Sequence, residues 1–518
     1  MHLPAFRTSV LSFFICLMSL STIAIRWKDY HPDTATTQAL EASYHTLFMI
    51  EVLRETPASD SKFLPLVSFP GEADRNIPWG TTLRTRDGRY IYASFESTAF
   101  LPPLAFFELF GLPTTLQSIL IFNGLLQLGC CFALAFLLRR MLAHRGLSGR
   151  VADIAVLAGV SIQFFAQEAL ISYGLIYWTQ QFYQLVMIGS LVLLHRLFAG
   201  NEHRRRTIAL LLGLAFAGPL IEWTAFVFNA GMVLVLLHAA RSRGDGPWLK
   251  LAIAISVVTL VSAIAIIAHF AWVSGLQNTL DFMSGRFLIR SGKDGDPYQL
   301  AKNYVKSFGL ILPIFIGSLV IVWQKRAAVL DRAALLVLFV SLFALLENIL
   351  LMQHSTQFGF DRLKMIIPMA IVITYAVAII GARARLAFAA VFAVALLQNI
   401  VFYWRVRLDY AAWPAIAASN RALAGEARRL VADDRCALIA SGKGVCGFTN
   451  LTFKRSIWEW VERPRFLAML DSPQARRCGA IYITGNEPFL DLPRYLKIEV
   501  FNPGKSPVTL TAAGADRP

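Results

Sequence analysis

Runs of roughly 18 or more apolar residues recur along the chain from Val10 to Trp404. Folded as a helix, a run of that length crosses the roughly 30 Å hydrocarbon core of a bilayer. Of the 518 residues, 56% are apolar and only 16% are charged, against about 25% charged in an ordinary soluble domain. The pattern excludes a soluble globular enzyme, a disordered chain and a disulfide-stapled secreted domain. It predicts a polytopic membrane protein.

Hydropathy predicts about eleven spanning helices. We place them at 9–25, 116–138, 152–167, 181–198, 207–221, 224–240, 249–272, 308–323, 333–352, 365–381 and 386–404. The predicted fold class is an all-α polytopic membrane protein with a small C-terminal α/β extramembrane domain. The transmembrane body covers 1–404, with an outer loop at 26–112 that carries interfacial helices, and the soluble tail covers 405–518. The first run could also be a cleaved signal peptide, although Ser21 to Ala24 make a poor cleavage site.

The connections between these helices alternate in charge. One set is short and holds 17 basic and four acidic residues, most of the formal net charge of +16. The positive-inside rule assigns this set to the cytoplasm. The opposite set is larger, and its outer loop to Leu112 has 8 basic and 11 acidic residues. An odd number of spans predicts a cytoplasmic N-terminus and a periplasmic tail, and the basic charge gives orientation rather than nucleic-acid binding.

Two segments of the outer loop are predicted to lie at the membrane surface. Segment 98–112 is apolar but contains Pro102 and Pro103, and counting it as a span would break the charge alternation. We interpret it as a half-inserted helix. Residues 36–53 suit an amphipathic helix that rests on the bilayer or, equally, one that supports the loop structurally.

The tail is predicted to fold as a small α/β unit. A helix is predicted over 411–431 and another over 457–470, with buried strands beginning at Cys436 and Cys478. If the tail lies in an oxidising compartment, two of Cys436, Cys446 and Cys478 could form a disulfide. The sequence does not choose the pair.

Two candidate sites lie in the outer loop. The first is Tyr30-His31-Pro32-Asp33, where a carboxylate near the membrane boundary could act as a base, hold a cation or only cap a helix. The second is the segment around Tyr92 and Ser94, whose aromatic and hydroxyl groups suit stacking on sugar rings or an interfacial aromatic belt.

Three further candidates lie in other outward connections. Glu222 lies at the tip of a tight helical hairpin (207–240), either as a functional carboxylate at membrane depth or as a helix-end acid that reaches water. His354, Asp361 and Arg362 share one short connection, where Asp361 and Arg362 could be a surface pair of little energetic value. Arg286, Arg290 and Lys293 could hold a phosphate or belong to a solvated loop. Glu222 is a candidate because a carboxylate at membrane depth is costly unless it is used or paired.

Taken in order, these features resemble the GT-C-fold integral-membrane glycosyltransferases, most closely the family-39 group of protein O-mannosyltransferases and lipid A aminoarabinose transferases. The resemblance rests on one helix, a long outer loop that opens with an Asp motif, the segment Ser94 to Gly111 rich in Phe and Pro, the Glu222-Trp223 tip, and the Gln353-His354 to Asp361-Arg362 connection ahead of Pro368. The family usually has Asp-Glu where this chain has Asp33-Thr34.

The resemblance implies an inverting sugar transfer on the outer face of the bacterial inner membrane. The donor would be a polyprenyl-phosphate sugar, and the acceptor an envelope glycan, lipid or protein. Asp33 would take the base role. Arg286, Arg290 or Lys293 would neutralise the departing phosphate, and His31, Tyr92, Ser94, Glu222, His354, Asp361 and Arg362 would bind substrate. A divalent cation is the one cofactor that this resemblance leaves open.

Two other functions compete with this prediction. A transporter or flippase for a lipid-linked envelope precursor would often show repeat symmetry and midplane charges, which this sequence lacks in clear form. A structural subunit that assembles through its tail is the third hypothesis.

Overall fold

The structure is a computed structural model. It describes residues 5–30, 40–78, 82–200, 204–243, 246–291, 295–325, 330–408, 413–445, 447–484 and 496–511. The candidate residues His31, Asp33 and Lys293, together with Cys446, lie outside these ranges.

The described helices are numbered in chain order. They are α1 (Ala5–Ile25), α2 (Leu40–Glu55), α3 (Ala58–Ser61), α4 (Leu101–Phe110), α5 (Leu116–His144), α6 (Arg150–Phe165), α7 (Gln167–Ser172), α8 (Thr179–Phe198), α9 (Arg204–Ile221), α10 (Thr224–Arg243), α11 (Gly246–Ser274), α12 (Leu276–Ser291), α13 (Pro297–Phe308), α14 (Ile311–Gln324), α15 (Arg332–Phe343), α16 (Leu346–Leu350), α17 (Met352–Gln357), α18 (Ile366–Ile379), α19 (Ala382–Leu408), α20 (Trp413–Leu430), α21 (Gly447–Phe453), α22 (Arg463–Met469) and α23 (Pro473–Cys478). The 3-10 helices are Trp27–Tyr30, Glu72–Asp74, Ser97–Ala99 and Gly359–Met365, and the strands are β1 (Leu83–Arg84), β2 (Tyr90–Ile91), β3 (Leu438–Ser441), β4 (Ala480–Ile483), β5 (Lys497–Phe501) and β6 (Val508–Thr511).

Within the described residues, seven helical segments are long and apolar enough to cross a membrane. An eighth counts if α13 and α14, which meet at 94°, form one broken span. The predicted spans at 9–25, 152–167 and 207–221 also coincide with helices, namely α1, α6 and α9. The polytopic helical fold is therefore confirmed, while the number eleven stays a prediction.

Segment 98–112 forms the short helix α4. Pro102 and Pro103 fall in its first turn, where a proline costs no intrahelical hydrogen bond, and Gly111 ends it at φ +61°. Ten residues give a helix of about 15 Å, too short to cross a bilayer. A non-spanning helix is what the alternation of charge predicted for this segment.

The chain forms two compact units. The first contains Met1–Trp27, Leu120–Ile266 and Gly285–Arg405. At its centre is α18, whose residues from Ile366 to Val377 are all buried. Helix α6 packs closely on α18 at Gly159, which has no Cβ. A Cβ at this position would lie only 2.9 Å from the carbonyl oxygen of Ala370.

The outer helices of this unit carry exposed apolar side chains. Leu260 and Ile264 of α11, and Leu386 and Leu397 of α19, are each more than half exposed. Large exposed aliphatic side chains in such rows are unusual in a soluble protein and are typical of surfaces that face lipid.

The second compact unit contains Lys28–Ile119, Ile267–Ser284 and Val406–Pro518. It groups the outer loop with the tail, which enters this unit at Val406. The tail contains a four-stranded sheet in the order β3-β4-β5-β6, in which β3 and β4 are parallel and the other pairs antiparallel. Helix α20 covers one face around Ile481, and α22 and α23 cover the other around Tyr482.

This sheet confirms the predicted α/β tail, but one predicted helix is shorter than expected. Only Arg463–Met469 of the predicted segment 457–470 is helical. The backbone before it runs beside β3, where Trp458 exchanges hydrogen bonds with Ile439 and Ser441 at 3.0 and 2.8 Å. A disulfide joins Cys436 to Cys478, one of the pairs that the sequence left open.

Helix α2 is enclosed by protein within the second unit. Tyr44, Leu47 and Phe48 are buried, and the ring of Tyr44 contacts that of Phe448 in α21 at 5.1 Å between centroids. The backbone N–H of Gly447 donates to Glu41 Oε1 at 2.6 Å. The two alternatives for 36–53 are thus resolved in favour of structural support over the described part of that segment.

Candidate active site

Contacts in the first unit separate its helix connections into two groups. Connections predicted to face outward meet one another, as in the hydrogen bond from Gln180 to Asp361 at 2.7 Å. Connections predicted to be cytoplasmic do the same: His144 Nδ1, at the end of α5, lies 2.5 Å from Asp331 Oδ2, in the connection before α15. Sequential helices that cross a membrane bring alternate connections to the same end, so the two groups agree with the predicted sidedness. Which end faces which compartment stays a prediction.

Asp361 is the centre of the outward group. It lies in the 3-10 helix ahead of α18 and is fully buried. Its carboxylate accepts hydrogen bonds from His354 Nδ1 at 2.5 Å, Gln180 Nε2 at 2.7 Å and Ser355 Oγ at 3.3 Å. A buried carboxylate is tolerated because donors satisfy its oxygens.

Arg362 does not pair with its neighbour Asp361. Its Nη2 lies 3.6 Å from Glu168 Oε2, and both side chains are less than 9% exposed. Ser307 Oγ connects the two, since it donates to Glu168 at 2.7 Å and accepts from Arg362 Nε at 2.8 Å. The alternative of an Asp361–Arg362 surface pair is therefore wrong, and Glu168, which stands at the edge of the loop after the third span, enters the site.

Lys364 is a member of the site that sequence reasoning missed. It donates to Glu347, to Asn348 Oδ1 at 2.8 Å and to Thr224 Oγ1 at 3.1 Å. All four side chains are buried. The available signal was an ionisable residue immediately before a long apolar run, which is a default functional candidate in a membrane helix.

Glu222 is buried, with 1% of its surface exposed. It accepts hydrogen bonds from the Thr179 hydroxyl and from its neighbour's backbone, Trp223 N, at 2.9 Å. The alternative of a helix-end acid that reaches water is wrong. The Thr179 hydroxyl oxygen also lies 3.1 Å from Gln180 Oε1, so Thr179 contacts both Glu222 and the partner of Asp361.

The predicted cationic loop is mostly helical. Arg290 lies near the end of α12, is buried, and its guanidinium carbon is 5.4 Å from the centroid of the Trp223 ring. Arg286 is half-buried and precedes it by one helical turn. Residues four apart share a helix face, so the two guanidinium groups lie on the same side of α12.

We call the buried ionisable residues of this region the acid–base cluster. Its members are Glu168, Glu222, Arg290, Glu347, His354, Asp361, Arg362 and Lys364. A small pocket beside the cluster is lined by Gln180, Tyr183, Gln184, Met187, Thr224, Leu363 and Lys364. The structure thus brings together five predicted site residues from three separate connections, namely Glu222, Arg290, His354, Asp361 and Arg362.

Tyr92 and Ser94 belong to the second unit and are both buried. The ring of Tyr92 meets that of His45 edge-on at 4.5 Å. Among the described residues, no three His, Cys, Asp or Glu side chains are grouped so as to hold a metal ion. Because Asp33 lies outside the described ranges, the predicted cation stays a prediction.

No protein-family model and no curated protein sequence matches this chain. Solved structures match its fold. The structure of ArnT from Cupriavidus metallidurans without ligand has a TM-score of 0.60 and 11% identity, covering 91% of this chain and 93% of that one. The structure of ArnT bound to undecaprenyl phosphate has a TM-score of 0.55 and 13% identity, again covering 91% of this chain and 93% of that one.

A second similar structure is the oligosaccharyltransferase AglB from Archaeoglobus fulgidus, in complex with an inhibitory peptide and a dolichol-phosphate. Its TM-score is 0.54 at 12% identity, covering 88% of this chain and 65% of that one. At such low identity these matches show the fold alone. The predicted GT-C fold is confirmed across most of the chain.

Proposed function

We propose that this protein is an integral-membrane glycosyltransferase that moves a sugar from a polyprenyl-phosphate donor to an envelope glycan, lipid or protein on the periplasmic face of the bacterial inner membrane. The observation that carries the proposal is the shared fold over 91% of the chain with ArnT, a protein also solved with undecaprenyl phosphate bound. The buried acid–base cluster supports it, because ionisable groups inside a membrane protein are costly unless they serve a function or form pairs.

The proposed reaction is an inverting displacement. An acceptor hydroxyl oxygen attacks the anomeric carbon, the bond from that carbon to the phosphate oxygen breaks, and the lipid phosphate leaves with the bonding electrons. Asp33 accepts the proton of the hydroxyl. Arg286 and Arg290, on one side of α12, and Lys293 supply the positive charge that stabilises the departing phosphate.

The remaining predicted residues take binding roles in this proposal. Tyr92 and Ser94 take the sugar-binding role that the family resemblance implies, and His31 lies two positions from the proposed base. Glu222 and Arg362 would shape the donor side of the site through their buried contacts. In the alternative in which Asp33 holds a divalent cation rather than acting as the base, that ion would act as a Lewis acid on the phosphate.

The test begins with mass spectrometry of envelope glycans and lipids from a strain that lacks the gene. We expect a sugar to be missing from one envelope component. Wild-type protein should restore it, and Asp33→Asn should not, although the variant is present in the membrane. Asp471→Asn is the matched control, because its side chain is 80% exposed in a surface pair with Arg476.

Restoration of the sugar by Asp33→Asn would remove the proposed base. An unaltered sugar pattern, with a lipid-linked precursor accumulating on the cytoplasmic side, would instead identify a flippase.

A further inference from the structure

We propose that His354, oriented by Asp361, is a second proton-transfer residue, whose imidazolium donates its Nε2 proton to the lipid phosphate that leaves the sugar. The inference rests on the proposed function and adds a residue to its chemistry. It starts from the shortest contact of Asp361, the 2.5 Å hydrogen bond with His354 Nδ1.

Asp361 fixes which nitrogen of His354 carries which role. The carboxylate is held by Gln180 and Ser355, so it remains in place as an acceptor for Nδ1–H. This is the arrangement of a base or acid with an orienting carboxylate. The other ring nitrogen, Nε2, has no hydrogen-bond partner among the described residues, and the side chain is 10% exposed.

Two phenylalanines hold the imidazole ring from the side. The ring of Phe358 lies 4.7 Å from that of His354 between centroids, and that of Phe360 lies 6.2 Å away. Phe358 and Phe360 are themselves stacked at 5.2 Å. Because Asp361 binds Nδ1 and the two aromatic rings pack beside the imidazole, the orientation of the ring, and with it the direction of Nε2, is fixed.

The imidazolium form of His354 has one N–H on each side of the ring. Asp361 accepts the Nδ1 proton. The Nε2 proton is one that no described group of the protein uses.

Titratable and charged side chains lie on the elements packed against the helix that carries His354. They are Asp361, Arg362 and Lys364 on the 3-10 helix, Glu347 on α16, and Lys302, Tyr304 and Lys306 on α13. Lys302 and Lys306 are exposed. Arg362 and Lys364 are each committed to a carboxylate, Glu168 and Glu347. His354 differs because its second nitrogen is unused, so it can serve a ligand without breaking an existing pair.

The proton balance of the step is simple. As the bond between the anomeric carbon and the phosphate oxygen breaks, the phosphate oxygen takes the proton from Nε2 and the imidazole becomes neutral. Nδ1–H stays with Asp361. Water returns the proton to Nε2 before the next turnover.

The test measures the affinity of the purified full-length protein for undecaprenyl phosphate between pH 5.5 and 8, for wild type and His354→Gln. At the acid end of this range, we expect wild type to bind about tenfold more tightly than His354→Gln, the value of one charge-assisted hydrogen bond. The ratio should fall towards one as pH rises and the proton leaves Nε2. His238→Gln, at an exposed position on α10, should behave as wild type throughout.

Asp361→Asn separates a chemical role from a structural one. Without the carboxylate, the imidazolium is less stable, so the loss of tight binding should move to lower pH. A merely structural role would weaken binding equally at every pH.

Two results would overturn the inference. If wild type binds undecaprenyl phosphate but the ratio to His354→Gln does not change with pH, the inference fails and the proposed function stands. If wild type does not bind this lipid at all, the proposed donor class fails and the inference fails with it.

Discussion

Gly359 lies directly against the Glu168 carboxylate, and replacing it with alanine should loosen the acid–base cluster from the outside. A Cβ at position 359 would lie 2.6 Å from Oε1 and 2.7 Å from Oε2 of Glu168. Because the glycine has no left-handed φ, the substitution strains no backbone dihedral. The whole cost should therefore come from moving the carboxylate.

The carboxylate can move only by giving up its partners. An ordinary contact of about 3.4 Å requires a shift of about 0.8 Å, and Glu168 holds Ser307 at 2.7 Å and Ser172 at 2.9 Å. Hydrogen bonds to a charged group are worth about 1.5–3 kcal/mol each. Losing one and weakening the other gives about 2–4 kcal/mol for Gly359→Ala.

Thermal unfolding in detergent, followed with a thiol-reactive dye, measures this cost. Cys130 and Cys131 are fully buried in the first unit and react only when it opens. We expect an apparent Tm about 4–8 °C lower, from about 2 °C per kcal/mol. Gly129→Ala is the control, because its Cβ would meet nothing within 4 Å.

Glu168→Asp supplies the second arm, because a side chain one methylene shorter makes room for the added methyl group. The double variant Gly359→Ala/Glu168→Asp should be more stable than the sum of the two single effects allows. Strict additivity of the two single effects, or a Gly359→Ala variant as stable as Gly129→Ala, would refute the argument.

Three further predictions concern other contacts. Arg455→Ala should lower the free energy of unfolding by about 3–5 kcal/mol, because it leaves Asp74 buried without its partner, whereas the double variant Arg455→Met/Asp74→Leu should regain most of that stability. Unfolding is best measured at pH 8, since burial raises the pKa of Asp74 to about 6 and its carboxyl is ionised at the higher pH. Gly159→Val should separate α6 from α18, because the added side chain overpacks their contact, and should lower the free energy of unfolding by at least about 1–3 kcal/mol. The thiol assay should show this as a lower apparent Tm. Arg290→Gln should weaken undecaprenyl phosphate binding about tenfold at every pH, unlike His354→Gln; unchanged affinity would remove Arg290 from the phosphate site.

The helical body could be predicted from sequence because a spanning helix is a local property of length and hydropathy. The apolar runs gave α5, α11 and α19 without reference to any partner. In the tail, the same reasoning found β3 and β4, whose four residues are all buried. It missed β5, where Lys497 and Glu499 interrupt the apolar residues. It also missed β6, because a short edge strand with exposed side chains carries no apolar run.

The candidate site was predictable only where its residues are close in sequence. His354 and Asp361 share one connection, and the structure joins them. The partners of that connection lie far away along the chain: Gln180 is 181 residues from Asp361, and Ser307 is 55 residues from Arg362. Such pairings depend on which helices pack together, which hydropathy does not encode.

The packing of α21 against α2 means that the outer loop cannot finish folding until the tail has been synthesised. The hydrogen bond from Gly447 to Glu41 joins residues 406 positions apart. Close approach is built into it, since a Cβ at Gly447 would lie 2.8 Å from the backbone carbon of Tyr44. At about 5–20 residues per second, some 20–80 s pass between the synthesis of the two segments.

During that interval, the outer loop has emerged from the ribosome while its partner does not yet exist. The buried face of α2 must remain uncovered, or be held by a chaperone or the insertion machinery, until the last fifth of the chain has been made. A chain that stops early would therefore leave the proposed base on a loop whose unit never closes. Completion of translation becomes a condition for a finished outer loop.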